Sequence, residues 1–258
     1  HEQSSNRPSI ERNRYSMKYL QKLAAVLTFM IAAQTFAASD VDTIRSKLKQ
    51  ARPDLAVDTI KPSVVDGIYE ASIGGGQIIY VTAKGDFFFL GDLFSIGSNG
   101  LVNLAEQRRD LDRKALMAKV DEKDMIIFSP QGATKTSVVV FTDVDCFYCQ
   151  KLHKEVPTMN AMGIEVRYLA YPRSGIGGES YRKIASAWCA DDRNTAMDKL
   201  KNRENIPENV CSKNPVADQF ALGQQVGVRG TPAMVLESGQ MLPGYLSADD
   251  LAGRLGLN

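Results

Sequence analysis

The sequence predicts two domains of different class, a small α+β unit followed by an α/β domain, joined by a polar helix. Three observations carry this. Between residues 40 and 99, β-branched and aromatic runs are separated by Gly-rich turns. From Met125 to Asn258, strand and helix signals alternate. Between the two, Leu104, Leu111, Leu116 and Val120 make a sparse apolar stripe among Glu106, Arg108, Arg109, Asp110, Asp112, Arg113 and Lys114, the pattern of a largely solvated helix. The 258 residues are 44% hydrophobic, too apolar for a disordered chain. The net charge of +1 gives no electrostatic case for a nucleic-acid partner.

The first segment reads as an address. Lys18 and Lys22 precede an apolar run from Leu23 to Ala33, and Thr35-Phe36-Ala37 supplies a small-x-small cleavage site. This is the pattern of a secretory signal peptide starting at Met17, with His1 to Ser16 as an upstream extension. Residues 1–37 are therefore expected to be lost on export. The exported chain would enter a compartment where disulfides persist, carrying all four cysteines.

Residues 38–100 form the expected N-terminal domain. Val41, Ile44 and Leu48 predict a helix that stops before Pro53. Gly67–Ile73, Gln77–Thr82 and Asp86–Leu90 predict an antiparallel meander. Phe87, Phe88 and Phe89 cannot all face one side of a strand, so at least one ring needs cover from a neighbouring element or a second subunit. Residues 101–124 read as a linker helix, with a packed surface helix as the alternative. Residues 125–258 follow the order β-α-β, a helical insertion, then β-β-α. In this order Ser137–Thr142 is a strand covered on both faces, Cys146–Met162 a helix and Ile164–Tyr171 the next strand. Helices are expected at Tyr181–Ala190 and Val216–Val226. A hairpin turns at Ser238-Gly239-Gln240, and a closing helix spans Ala248–Leu255.

Cys146-Phe147-Tyr148-Cys149 carries the chemistry. It follows a core strand and opens a helix, as a redox CxxC requires. Unpaired N–H groups and the positive end of the helix dipole stabilise a thiolate at Cys146. Cys149, one turn on, is expected to be more buried and protonated. Cys146 then attacks and Cys149 resolves the mixed disulfide. Asp143 and Asp145 would oppose this if they faced the sulfur. Cys146, Cys149 and His153 also have first-ligand spacing for zinc, but no fourth ligand pairs with them, and neither metal nor cofactor is expected. A purely structural disulfide is the other reading. His153 alone reads as an exposed helix residue, with proton transfer to Cys149 as a second role.

Two further features lie downstream. Thr231-Pro232 precedes a strand. The base rate for X-Pro bonds favours trans, whereas a cis bond would offer the Thr231 backbone to an extended peptide. Cys189 and Cys211 flank a polar stretch inside the insertion. In an exported chain they read as a disulfide stapling that excursion, with two free buried thiols as the alternative.

The segment Phe141–His153 resembles the active-site region of the DsbC/DsbG family of periplasmic thiol:disulfide interchange proteins. The same holds for Gly163–Tyr171, Trp188-Cys189-Ala190, Leu222–Ala233 and Leu242–Tyr245. The resemblance implies a cystatin-like N-terminal dimerisation domain, a linker helix, and a thioredoxin-fold catalytic domain with a helical insertion, assembled as a V-shaped homodimer. It implies Cys146 as nucleophile, Cys149 as resolving thiol, Cys189–Cys211 as the structural bridge and Pro232 as a cis-proline, with Phe147, Tyr148 and Thr231 in the active-site loop. The activity it implies is isomerisation of wrong disulfides in misfolded exported proteins, with chaperone action, sustained by a membrane reductant of the DsbD type. A DsbG-like reductase, a thiol oxidase and a non-enzymatic chaperone are the rivals. Three residues depart from the family pattern: Phe147 replaces a small residue or Pro, Gln150 replaces a frequent His, and Pro157 is expected to kink or end the active-site helix early.

Overall fold

The computed structural model describes residues 39–74, 77–98 and 100–257. The expected signal peptide, residues 1–37, lies outside the described residues. The chain forms two compact units, one comprising the described residues up to Gly74 together with Ile78–Gly91, the other beginning at Asp92.

In the first unit, helix α1 covers residues 39–51. Strands β1 (Val57–Pro62), β2 (Ile68–Ile73), β3 (Gln77–Thr82) and β4 (Phe88–Leu90) form a sheet in that order. Ile44 and Leu48 of α1 enter the core with Tyr69, Ala71, Ile73, Ile79 and Val81. The sequence reading missed β1, because VDTIKP alternates weakly and ends in Pro. That residue is tolerated because β1 is an edge strand. β4 is the other edge. Phe89 stacks on Tyr80 at 5.3 Å, while Phe87, 74% exposed, and Phe88 receive no cover from α1.

The second unit opens with the hairpin β5 (Phe94–Gly97) and β6 (Gly100–Asn103), which leads into helix α2 (Leu104–Met117). The helix therefore starts later than the expected linker. Asn103 caps it by accepting from the Glu106 N–H. Its C-terminal half is a packed helix and not a solvated bridge. Arg113 is 6% exposed and donates to the carbonyls of Val226 and Gly239. Leu116, Met117 and Val120 join the core cluster of Phe141, Tyr171 and Val226. Gly239 is required here: its φ is +90°, and a Cβ would collide with the Asp110 carbonyl of α2.

The rest is an α/β sandwich. Its five-stranded sheet has the order β11-β10-β8-β9-β7, from β7 (Ile126–Phe128), β8 (Thr136–Thr142), β9 (Ile164–Ala170), β10 (Ala233–Leu236) and β11 (Met241–Pro243). β8 runs parallel to β9 and antiparallel to β10. Helix α3 (Phe147–Ala161) makes the β8-to-β9 crossover. Pro157 neither ends nor shortens it. Met159 beyond the proline is buried in the core, and the Asn160 side chain donates to the carbonyls of Phe128 and Ile164. The insertion holds α4 (Glu179–Trp188) and α5 (Arg193–Lys201), and α6 (Val216–Val226) and α7 (Ala248–Leu255) complete the domain. α5 lies within the polar stretch between Cys189 and Cys211, where the sequence predicts no separate element. Asp192 caps it by accepting from the Thr195 N–H, and Ala196, Met197 and Leu200 turn one face into the core. Among the described residues no helix is long and apolar enough to cross a membrane.

Candidate active site

Register explains why the cysteines and the proline meet. Ala233 of β10 pairs with Phe141 of β8. Because the strands are antiparallel, the residues before β10 lie beside the residues after β8. Thr231-Pro232, a cis peptide, is thus laid next to Cys146. The Cys146 thiol donates to the Thr231 carbonyl at 3.2 Å. This cover leaves Cys146 only 2% exposed, a more enclosed sulfur than its place at a helix start suggests.

Cys146 is the N-cap of α3, with extended backbone and no side-chain cap bond. The sulfur therefore faces orphan N–H groups of the first turn. The loop that sets this geometry is pinned by Asp143. Its carboxylate accepts from Asp145 N at 2.8 Å, Ser180 Oγ at 2.6 Å and Arg173 N at 2.8 Å. Asp145 pairs with Lys183. Both carboxylates are thus engaged by other groups.

The two thiols are driven apart in acidity. The Cys146 pKa falls to about 5. The largest cause is the Cys149 thiol donating to it; burial opposes, and Thr231, the Cys149 N–H and the Arg173 charge add to the drop. The Thr231 hydroxyl beside the sulfur is buried without a hydrogen-bond partner. Burial pushes the Cys149 thiol far up, donation to Cys146 adds to this, and the Lys201 charge works against it.

His153 is not exposed. Its Nδ1 lies 3.0 Å from Tyr168 Oη and its Nε2 2.8 Å from Asp198 Oδ1. Burial lowers its pKa despite Asp198, so the ring is neutral at pH 7. Among the described residues no three or more His, Cys, Asp or Glu gather as a metal ion needs. Phe147 and Tyr148 are 60% and 56% exposed and meet edge to face at 5.4 Å. Gln150 is held by the Val144 carbonyl and Arg203. Cys189 and Cys211, remote in role from the CxxC, form a disulfide across the insertion with Cα atoms 5.8 Å apart. Sequence reasoning missed Asp143 as the loop anchor and Lys201 beneath the thiols. An acidic residue directly between a core strand and the CxxC was the available signal for the first, and nothing marked the second.

Comparison with known proteins agrees with this arrangement. Residues 122–257 match the thioredoxin-like domain model, and residues 35–106 match the model of the disulfide bond isomerase protein N-terminal domain. The thiol:disulfide interchange protein DsbC of Escherichia coli is 34% identical over 88% of this chain and 92% of its own. That of Salmonella typhimurium is 36% identical over 85% and 90%. A linker-deletion mutant of Proteus mirabilis ScsC superposes with a TM-score of 0.50 at 17% identity over 59% of this chain and 83% of its own, a likeness of fold. With both domains matched and this identity spread over nearly the full length of its relatives, the chain belongs to the DsbC family of thiol:disulfide interchange proteins.

Proposed function

We propose that this protein is a periplasmic, homodimeric disulfide isomerase that reshuffles wrong disulfides in misfolded exported proteins. The observation that carries the reading is the split between the two thiols: one ionised at neutral pH under the Thr231-Pro232 turn, one protonated directly behind it. The Cys146 thiolate attacks a substrate disulfide, forming a mixed disulfide and releasing a substrate thiolate. That thiolate then attacks elsewhere in the substrate, and a correct pairing displaces Cys146 reduced. Where the substrate stalls, Cys149 attacks Cys146, closing the CxxC disulfide and freeing a reduced substrate. Cys146 and Cys149 are the catalytic residues. Phe147, Tyr148 and the Thr231 backbone meet the client chain, Pro232 sets the turn, and Cys189–Cys211 holds the insertion. The exposed rings of Phe147 and Tyr148 support contact with unfolded segments and hence chaperone action.

A dimer is supported by the N-terminal unit, where Phe87 and the edge strand β4 after it leave Phe87, Phe88, Phe89 and Leu90 exposed, a face that a second copy would cover. In an oxidising compartment the dithiol must be regenerated, and a membrane reductant of the DsbD type fits that need. The test is refolding of a scrambled multi-disulfide substrate. Wild type restores activity and Cys146→Ser does not. An unaffected yield in Cys146→Ser would end the proposal. A CxxC couple found mostly oxidised in cells would instead favour a thiol oxidase.

A further inference from the structure

Several helices of the catalytic domain are stopped by a glycine in the left-handed region: α3 by Gly163, α6 by Gly227 and α7 by Gly256. At the end of α5 the residue after the C-cap Asn202 is Arg203, at φ +64°, and among the described residues no other non-glycine has a positive φ. The hydrogen bonds are those of a regular helix stop. The Glu204 N–H donates to the Lys199 carbonyl and the Arg203 N–H to the Leu200 carbonyl. Glycine fills such a position without steric conflict, and arginine does not. A long side chain held at a strained position points to a use for that side chain.

The Arg203 guanidinium is fixed relative to the CxxC. Its Nε donates to the Gln150 side-chain oxygen at 2.9 Å, and the Gln150 amide donates to the Val144 carbonyl at 2.8 Å. A carboxamide makes both bonds at once. Arg203 is thereby tied to α3 and to the loop that carries Cys146. Among the described residues no carboxylate pairs with it. The two terminal nitrogens, a fork that matches a carboxylate, are left for another partner.

The surroundings select that partner. Arg203 and Gln150 line two hollows that both begin at Phe147, the residue after the nucleophile. In one, Asp145 and Glu204 balance Lys183 and Arg203. The other, of about 620 Å³, has a surplus of cations: Lys151, Lys154 and Arg203 stand against Glu155. Glu155 is already engaged, accepting from Tyr245 Oη and the Ala248 N–H. Lys201 also lines this hollow, but its amine turns inward to Thr142 Oγ1 and the Asp143 carbonyl. Lys151 lies over the Tyr245 ring, 4.1 Å from its centre. A fixed guanidinium amid unbalanced positive charge suits an anion.

We propose that Arg203 selects client segments that carry an Asp or Glu side chain close in sequence to the cysteine under attack. This rests on the disulfide-exchange reading of Cys146. A client sulfur that reaches Cys146 brings its flanking chain past the Phe147 ring and into the cationic hollow. The client carboxylate accepts there from the terminal nitrogens of Arg203, and Lys151 and Lys154 add to the attraction. Arg203 does not touch the reacting sulfurs. It sets which disulfides are opened fastest.

The test uses a pair of disulfide-linked peptides that differ only in a Glu or a Gln two residues from the cysteine. The second-order rate at which the reduced protein opens each peptide is divided by the rate with a small dithiol, which removes the peptide's own reactivity. The ratio of the two results within one protein cancels any change in Cys146 itself. Wild type is expected to favour the Glu peptide about fivefold at low salt, the upper end for an exposed ion pair, and added salt should shrink the preference. Arg203→Gly, which suits the left-handed turn, is expected to abolish the preference. Arg203→Lys, which keeps the charge without the fork, should retain part of it. Equal rates for the two peptides in wild type, or an undiminished preference in Arg203→Gly, overturns the inference alone. Failure of wild type to open either peptide overturns the exchange reading and this inference with it.

Discussion

The catalytic domain contains two pairs of cysteines whose fates differ. Cys189 and Cys211 are 22 residues apart, close a loop in the insertion, and are joined. Cys146 and Cys149 sit one turn apart at the start of α3 and are free thiols. Bridging the first pair removes much freedom from the unfolded chain, whereas bridging the second removes almost none. The second pair instead sits where the Cys149 thiol, Thr231, the Cys149 N–H and the Arg173 charge favour a thiolate on one sulfur and burial keeps the proton on the other. A cysteine is made structural by the loop it closes and reactive by the charges it meets.

The largest effect that would break this contrast is on activity. Cys146→Ser is expected to bring isomerisation of a scrambled substrate to the uncatalysed level, read by recovered substrate activity. Cys149→Ala should accumulate mixed disulfides with client proteins, visible as thiol-sensitive bands on non-reducing gels, because the resolving attack is lost. For the joined pair, the double Cys189→Ser, Cys211→Ser variant is expected to lose roughly 3 kcal/mol of stability in denaturant unfolding. Its Cys146 alkylation rate should stay close to wild type. A matching collapse of Cys146 reactivity would show that the two pairs are not independent.

A smaller effect concerns pH. In the unfolded chain the Cys146 thiol keeps its proton up to about pH 8.5, whereas in the folded dithiol it holds it only to about 5. Between those values unfolding takes up a proton, so the stability of the reduced protein rises with pH across that window and is lost as pH falls through 5. Thermal melts of the reduced form from pH 4 to 9 check this. The smallest expected effect is that of Phe147→Ala. The ring is exposed, so stability should change by under about 0.5 kcal/mol, and any loss in client affinity is then a contact effect.

The same contrast explains what the sequence disclosed. The CxxC is legible because local chemistry, a strand followed by a helix start, sets its meaning. The α1 stripe and the β8 run are legible for a similar reason, since their periodicity reports burial directly. What escaped depends on residues far apart in the chain. Arg113 looks like one more charge on a polar helix, yet it is buried by carbonyls 113 and 126 residues away. His153 sits on a plausible surface position of α3, but α5 and β9 close over it with Asp198 and Tyr168. Lys201 ends a segment so polar that its helix was not seen, because three apolar residues suffice to dock it. Pro157 shows the reverse: a local rule predicts a break, and tertiary packing of Met159 and Asn160 keeps the helix running.

The most direct measurement is titration of the Cys146 thiolate in the reduced wild-type protein, followed by its ultraviolet absorbance and by the rate of alkylation. A single sulfur ionising near pH 5, with Cys149 silent through neutrality, is the result expected. Ionisation only near the ordinary thiol range would contradict the whole account.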